Sequence, residues 1–175
     1  MVRSEIRVVA IKSLEQQAQQ MLHRQRSLAI RSRTALSNQI RGNLAEVGIA
    51  FSRGLGVLRR QLPCLLEDAG NALTDLMRQL LAQNQRQLSQ LDEHIKDYDA
   101  LLKQQSAQHP GCQDLQTVPS FGPVLSSAFF SYVGDGTAFK RGRDVSASLG
   151  IVPAQHSTGG KARLLGISKR GDPYL

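Results

Sequence analysis

Two stretches without proline, 13–46 and 64–109, make up nearly half of this 175-residue chain and restrict what it can fold into. In the second, Leu73, Met77, Leu80, Asn84, Leu88, Leu91, Ile95, Tyr98 and Leu102 follow one another in steps of three or four. Side chains at that spacing share one face of a helix, whereas a strand, alternating every two residues, cannot gather them. A long helix is therefore expected from about Leu65 to Gln105. Asn84 would be its one polar seam residue, fixing register, with a local stutter before Leu88. In the first stretch, Ser13 and Gln16 form a capping-box pattern that starts a helix running to about Glu46. Leu14, Met21, Leu28 and Ala35 fall at sevens on it, Ile40, Leu44 and Val47 continue the stripe, and Arg24, Arg26, Arg31, Arg33 and Arg41 lie opposite. Gly48, Gly54, Gly56 and Pro63 mark 47–62 as the connecting loop. The expected fold class is mainly α: a long antiparallel coiled-coil hairpin over 13–108, then a small helical domain over 112–175 containing a helix-hairpin-helix. Residues 1–12, where Ile6 and Val8 alternate with Arg3 and Arg7, read as a short extended lead-in.

Charge narrows the partners. The chain is +8 overall, but residues 1–62 carry eleven Lys/Arg against three acids, 63–118 four against eight, and 119–175 seven against three. Two basic blocks around an acidic one suit a polyanion contacted at both ends, and a basic chain with merely solvated faces is the plain alternative. Glu5 and Arg7 interrupt the apolar run at the N-terminus, so no signal peptide is expected, and no apolar run approaches the roughly 20 residues of a membrane span. Cys64 and Cys112 lie far apart with no C-x-x-C, which predicts ordinary thiols in a reducing cytoplasm and no zinc site. The acids on the second helix, Asp92, Glu93, Asp97 and Asp99, make it a poor DNA contact and suggest a spacer or dimer element.

Beyond His109-Pro110-Gly111 the residues carry more chemistry. The run 115–124 reads as a short helix, a tight hairpin at Gly122, and a new helix opening on Pro123 that Gly134 closes after Val133. Hairpin N–H groups and the N-terminus of that helix could accept a phosphate without reading sequence. A basic loop follows, Lys140, Arg141 and Arg143, before a short helix capped by Asp144 and ended by Gly150. Last come Ser157-Thr158-Gly159-Gly160-Lys161 and Ser168-Lys169-Arg170-Gly171. Small residues let backbone N–H groups approach a phosphate, Lys161, Lys169 and Arg170 would neutralise it, and a hydroxyl beside it could donate a hydrogen bond or attack.

Six blocks occur in order: Pro119-Ser120-Phe121-Gly122-Pro123; Gly134-Asp135-Gly136 with Phe139; Gly142-Arg143-Asp144; Leu149-Gly150-Ile151-Val152-Pro153; Gln155-His156-Ser157-Thr158-Gly159-Gly160-Lys161; and Gly166-Ile167-Ser168-Lys169-Arg170-Gly171-Asp172. Together they resemble the C-terminal domain of insertion sequence 110 family transposases, the 1111 subgroup, relatives of the Piv-type DNA invertases. The helical segment before them resembles that family's coiled-coil region. The resemblance implies a serine nucleophile acting on a DNA phosphodiester: Ser157, with Thr158 the neighbouring alternative. It also implies a RuvC-like domain whose acidic residues hold divalent metal, Mg²⁺, so that this chain itself carries no cofactor. Neither that domain nor the family's terminal helices are expected within these residues. The family's hairpin usually begins Pro-Gly, where this chain has Pro119-Ser120.

The functional expectation is thus a transposase or site-specific recombinase of an insertion sequence, in a truncated form that binds DNA and is inactive alone. A non-catalytic nucleic-acid-binding or coiled-coil interaction module is the alternative. DNA is the expected partner, with a guide RNA and a second copy held through the coiled coil as further ones. No membrane is expected, and the location is cytoplasmic. The residues assigned to DNA contact are Gly122, Lys140, Arg141, Arg143, Gly159, Gly160, Lys161, Lys169 and Arg170.

Overall fold

A computed structural model describes residues 11–161, 163–168 and 171. The alternating lead-in at Arg3–Ile11 falls outside these residues except for Ile11. The described chain is mainly α: α1 (Leu14–Glu46), α2 (Leu55–Glu67), α3 (Asp75–Gln108), α4 (Pro110–Gln116), α5 (Pro123–Val133) and α6 (Gly142–Ser148), then a two-stranded antiparallel sheet of β1 (Pro153–Gln155) and β2 (Leu164–Ile167). It divides into two compact units. One is Arg24–Ala100, and the other combines the chain up to His23 with the chain from Leu101 onward.

Within Arg24–Ala100 the stretches of α1 and α3 run antiparallel. Arg26 pairs with Asp99 at 2.5 Å and Arg33 with Asp92 at 3.0 Å, so seven residues forward on one helix match seven back on the other. Asp92 also accepts from Arg59 of α2, which ties three helices through one carboxylate. The core beneath is aliphatic: Leu36, Ile40 and Leu44 of α1, Leu58 and Leu62 of α2, and Leu73, Leu81 and Leu88 on the α3 side. Burying each such side chain is worth about 1.5–3 kcal/mol, which makes this cluster the main stabilising feature of the unit.

Three sequence expectations change here. The first concerns α1. The N-terminal part of its stripe faces outward, with Leu14 84%, Met21 63% and Leu28 53% exposed, whereas its continuation at Ile40 and Leu44 is buried as expected, together with Gln19, His23, Ala29 and Leu36. The inward face is chosen by what it meets, the leucines of α2 and α3 and the carboxylates of Asp92 and Asp99. Arg26 and Arg33, expected on a solvated basic face, lie at that contact instead. Arg41 donates to the Gly54 carbonyl at 2.7 Å, leaving Arg24 and Arg31 exposed.

The second concerns 47–62, which is not all loop. Leu55, Leu58, Leu62 and Leu65 lie on one face of α2, and Pro63 sits inside it. A mid-helix proline costs about 3 kcal/mol, and the burial of Leu58 and Leu62 offsets it. The third is that the long second helix starts at Asp75, capped by the Thr74 hydroxyl on the Met77 amide at 3.3 Å. The turn before it is held by Arg78, whose guanidinium donates to the carbonyls of Leu66 and Asp68 and to the Asn71 side chain. These bonds satisfy carbonyls that the end of α2 leaves without helical partners. From Leu88 onward the expected seam holds, with Leu88, Ile95 and Leu102 buried. Met77 and Leu80 lie on the outer side, and Leu81 takes the inner one.

The second unit has a different interior. Leu102, Cys112 and Ala128 share it with buried Gln19, His23, Ser106, Ser126, Ser127 and Ser131. His23 Nε2 lies 3.1 Å from Ser127 Oγ, and Gln20 donates to the Ser131 carbonyl at 3.1 Å, so the start of α1 docks on α5 through polar groups. His109 caps α4 by accepting from the Gly111 amide, and its ring stacks on Phe130 with centroids 3.8 Å apart. Both cysteines are free, Cys64 exposed and Cys112 buried, and burial pushes the Cys112 thiol pKa up.

The split of the α1 stripe gives a direct test. Leu44→Ala should cost about 2–5 kcal/mol by urea denaturation, whereas Leu28→Ala should stay within about 0.5 kcal/mol. Equal losses would put Leu28 on a buried face as well.

Candidate functional site

The hydroxyl-bearing stretch is the tip of a β-hairpin. Thr158 and Lys161 form an antiparallel bridge, and the Lys161 amide donates to the Thr158 carbonyl at 3.1 Å across Gly159 and Gly160. Those glycines have φ of 59° and 75°, the left-handed values that a two-residue type I′ turn requires at both central positions. The pair is there for turn geometry, and its consequence is a tight, exposed tip. Ser157 lies just before the bridge, exposed, with its Oγ accepting from Gln155 Nε2 at 2.8 Å. Thr158, Gly159, Gly160 and Lys161 are exposed as well. The bond from the His156 amide to the Arg163 carbonyl, 2.9 Å, continues the ladder towards β1 and β2, whose register slips between Pro153 and Gln155.

This hairpin is anchored at its base. Ser168 donates its amide to Val152 O at 2.8 Å and its hydroxyl to Gly150 O at 3.0 Å. Gly171 lies so close to Leu149 that any Cβ would overlap the Leu149 carbonyl. The α6 helix is held in turn by Tyr132 of α5, whose hydroxyl donates to the Ser148 carbonyl at 3.2 Å. Anchoring therefore passes from α5 through α6 to the strands, while the tip stays free of packing.

The other assigned residues lie at helix starts. Lys140, Arg141 and Arg143 are exposed, with Arg141 the N-cap of α6. Asp144 is not the cap: it sits one turn in and accepts from the Arg141 amide at 3.1 Å. Gly122 is the N-cap of α5 with φ −78°, ordinary extended backbone. The tight turn precedes it, at Val118–Phe121, closed by the Phe121 amide on the Val118 carbonyl at 3.1 Å. Pro119 and Ser120 are its central residues, and Ser120, at φ 75°, is the one non-glycine among the described residues with positive φ. A type II turn wants glycine at that third position. This explains physically why the resembled family usually has Pro-Gly there. Lys169 and Arg170 lie outside the described residues.

A feature not read from the sequence is the loop after α5. Asp135 Oδ1 accepts from the Thr137 hydroxyl at 2.7 Å and from its amide at 3.0 Å. Those bonds, the hydroxyl's first, hold the Asp135 carboxyl below the usual carboxylate range. The signal was available as Asp-Gly-Thr, a side-chain-to-backbone turn pattern. Among the described residues no three His, Cys, Asp or Glu side chains gather as a metal ion would need, and no helix is long and apolar enough to cross a membrane.

Comparison with known proteins gives the same resemblance. Residues 112–175 match the family model described as Transposase IS116/IS110/IS902 family. Over 173 residues, 99% of this chain, it is 40% identical to the transposase for insertion sequence element IS1111A of Coxiella burnetii, of which it covers 48%. It is 36% identical over 173 residues to the transposase for insertion sequence element IS1328 of Yersinia enterocolitica, covering 99% of this chain and 51% of that protein. The chain thus spans about half the length of the curated relatives it matches. The resemblance to insertion sequence 110 family transposases, the 1111 subgroup, is borne out.

Three outcomes are expected. Gly159→Ala or Gly160→Ala should each cost the hairpin about 1–2 kcal/mol, seen as faster hydrogen exchange at the Lys161 amide. Ser120→Gly should stabilise the protein by about 0.5–1 kcal/mol in a denaturant melt, because relief of a left-handed conformation exceeds the added unfolded-state entropy. The stability linked to Asp135 should be complete above the ordinary carboxylate pKa of about 3.9 and lost as pH falls through its lower folded value. NMR titration of Thr137→Val should return that pKa towards the ordinary value.

Proposed function

We propose, from its similarity to insertion-sequence transposases over nearly its whole length, that this chain is the DNA-binding and serine-bearing part of such a transposase. The observation that carries this reading is the exposed hairpin tip, where a hydroxyl, two left-handed glycines and a lysine adjoin on a base anchored to α6. Ser157 is the nucleophile, and Thr158 is the alternative hydroxyl. Attack of Ser157 Oγ on a DNA phosphorus forms a phosphoserine ester and breaks a bridging P–O bond, with a proton passing to the departing oxygen. The phosphodiester energy is conserved for rejoining strands. Lys161, with Lys169 and Arg170, offsets the extra negative charge of the transition state. A free serine hydroxyl is a weak nucleophile, and Mg²⁺ held by a separate acidic domain supplies the activation when it is bound.

Binding rests on Gly122 at the start of α5, on Lys140, Arg141 and Arg143 at the start of α6, and on the hairpin glycines. Contacts of this kind position a backbone without reading bases. The helical segment 13–108 serves as spacer and as contact to a second copy, 112–175 as the domain that meets DNA, and a guide RNA is a further partner. The location proposed for this activity is the cytoplasm. A filter-binding salt series tests the reading: affinity for duplex DNA should fall steeply between 50 and 200 mM salt, and each of Lys140→Ala, Arg141→Ala and Arg143→Ala should reduce the slope by about one. Salt-independent binding would overturn the DNA assignment. A Ser157→Ala change placed in a full-length relative should abolish strand transfer, and unaltered transfer would remove the nucleophile assignment.

A further inference from the structure

A cavity of about 570 Å³ opens where the start of α1 meets the loop after α5. Its volume falls within the roughly 300–1,000 Å³ of small-molecule sites. The chain has five Phe and three Tyr in all, and Phe130, Tyr132 and Phe139 line this one cavity. Two of those rings are engaged: Phe130 with His109, and Tyr132 with the Lys12 ammonium, 5.3 Å from its centroid. Phe139 is half-buried and has no ring contact among the described residues. The carboxylates of Glu15 and Asp135 stand at the rim, both exposed. Asp135 accepts from the Thr137 amide and hydroxyl through Oδ1, which holds the carboxylate in place. Gly134 forms part of the wall, where a Cβ would come within 2.7 Å of Gln16 Nε2.

We infer that this cavity takes a single unpaired nucleobase bearing an exocyclic amine, with cytosine as the simplest case, stacked on Phe139 with its amine donating to Asp135 or Glu15. The inference rests on the DNA-binding reading above and deepens it. Three features favour a base over other planar ligands. An aromatic wall stacks any base, and such stacking is worth about 1–3 kcal/mol. Carboxylates accept from the N4 amine of cytosine, whereas thymine has no exocyclic amine and offers only its ring N3–H. Phe139 runs directly into Lys140 and Arg141, both exposed, so a strand whose base enters the cavity has cations for its phosphates in the next residues. The cavity would thus sort bases, where the basic loop and hairpin tip hold backbone.

The test uses the full chain and two fluorescent oligonucleotides, dC12 and dT12, with deoxycytidine monophosphate as a separate probe followed by amide NMR. The chain should bind dC12 about threefold or more tighter than dT12. Glu15→Ala combined with Asp135→Ala should erase that difference, and Phe139→Leu, which keeps the wall apolar, should weaken both oligonucleotides by about tenfold. The monophosphate should shift the amides of residues 134–139. Equal binding of the two oligonucleotides, or a preference that survives the double substitution, overturns the base site and leaves the DNA-binding reading intact. If neither oligonucleotide binds at low salt, the DNA-binding reading fails. Monophosphate shifts confined to 134–139 would then still support the cavity as a base site, and their absence would overturn it too.

Discussion

Asp92 accepts from Arg33 of α1 and Arg59 of α2 while belonging to α3, and the helical unit depends on that three-way arrangement for its register. The leucines beneath it supply more free energy, but aliphatic side chains pack in several offsets with little penalty. A carboxylate between two guanidiniums does not. These pairs keep some solvent and are worth about 0–1 kcal/mol each, so they select among registers that the leucines alone would separate less sharply. The same demand explains which face of α1 turns inward. The more regular heptad stripe of Leu14, Met21 and Leu28 is passed over because the buried face carries both the aliphatic contacts and the arginines that meet Asp92 and Asp99.

The two units are stabilised by different means. One is a cluster of leucines. The other buries serines, a glutamine and a histidine, whose hydrogen bonds each contribute on the order of 1 kcal/mol net. The Gln19 amide and the Ser126 hydroxyl lie buried without a partner among the described residues, positions where ordered water commonly completes the bonding. An interior of this kind favours specific docking over tight adhesion. The hairpin is held in a similar way, by the two bonds of Ser168 and the close approach of Gly171 to Leu149.

Much of this could be read from residues alone, and the pattern of success is physical. The helical class, the start of α1 at Ser13, the span of α5 from Pro123 to Val133, and the α3 seam beyond Leu88 rest on local signals: a capping box, a proline at the first turn, a glycine after the last, and an unbroken apolar period. What failed depended on partners far along the chain. Heptad spacing could not say which face of α1 would find leucines, and the penalty of Pro63 could not be weighed without knowing that Leu58 and Leu62 are buried. At the candidate site, adjacency of Ser157, Thr158 and Lys161 was legible, but their place on a turn was not. Gly-Gly suits a loose phosphate loop as readily as a type I′ hairpin, and only the pairing of β1 with β2 decides. Ser120 was marked only as a departure from the family pattern. Its left-handed backbone gives that departure a cost.

The antiparallel ion pairs also constrain how such a chain can change length. Residue 26 meets 99 and residue 33 meets 92, so removing one residue between them on α1 would turn everything beyond it by about 100° about the helix axis. One arginine would then point away from its acid, and the leucines after it would leave the core. A matching deletion on α3 between Asp92 and Asp99 restores the axial spacing but not the facing, because six residues leave the two side chains of each helix about 120° apart. Insertions and deletions in these helices should therefore be inherited as matched sevens on both helices.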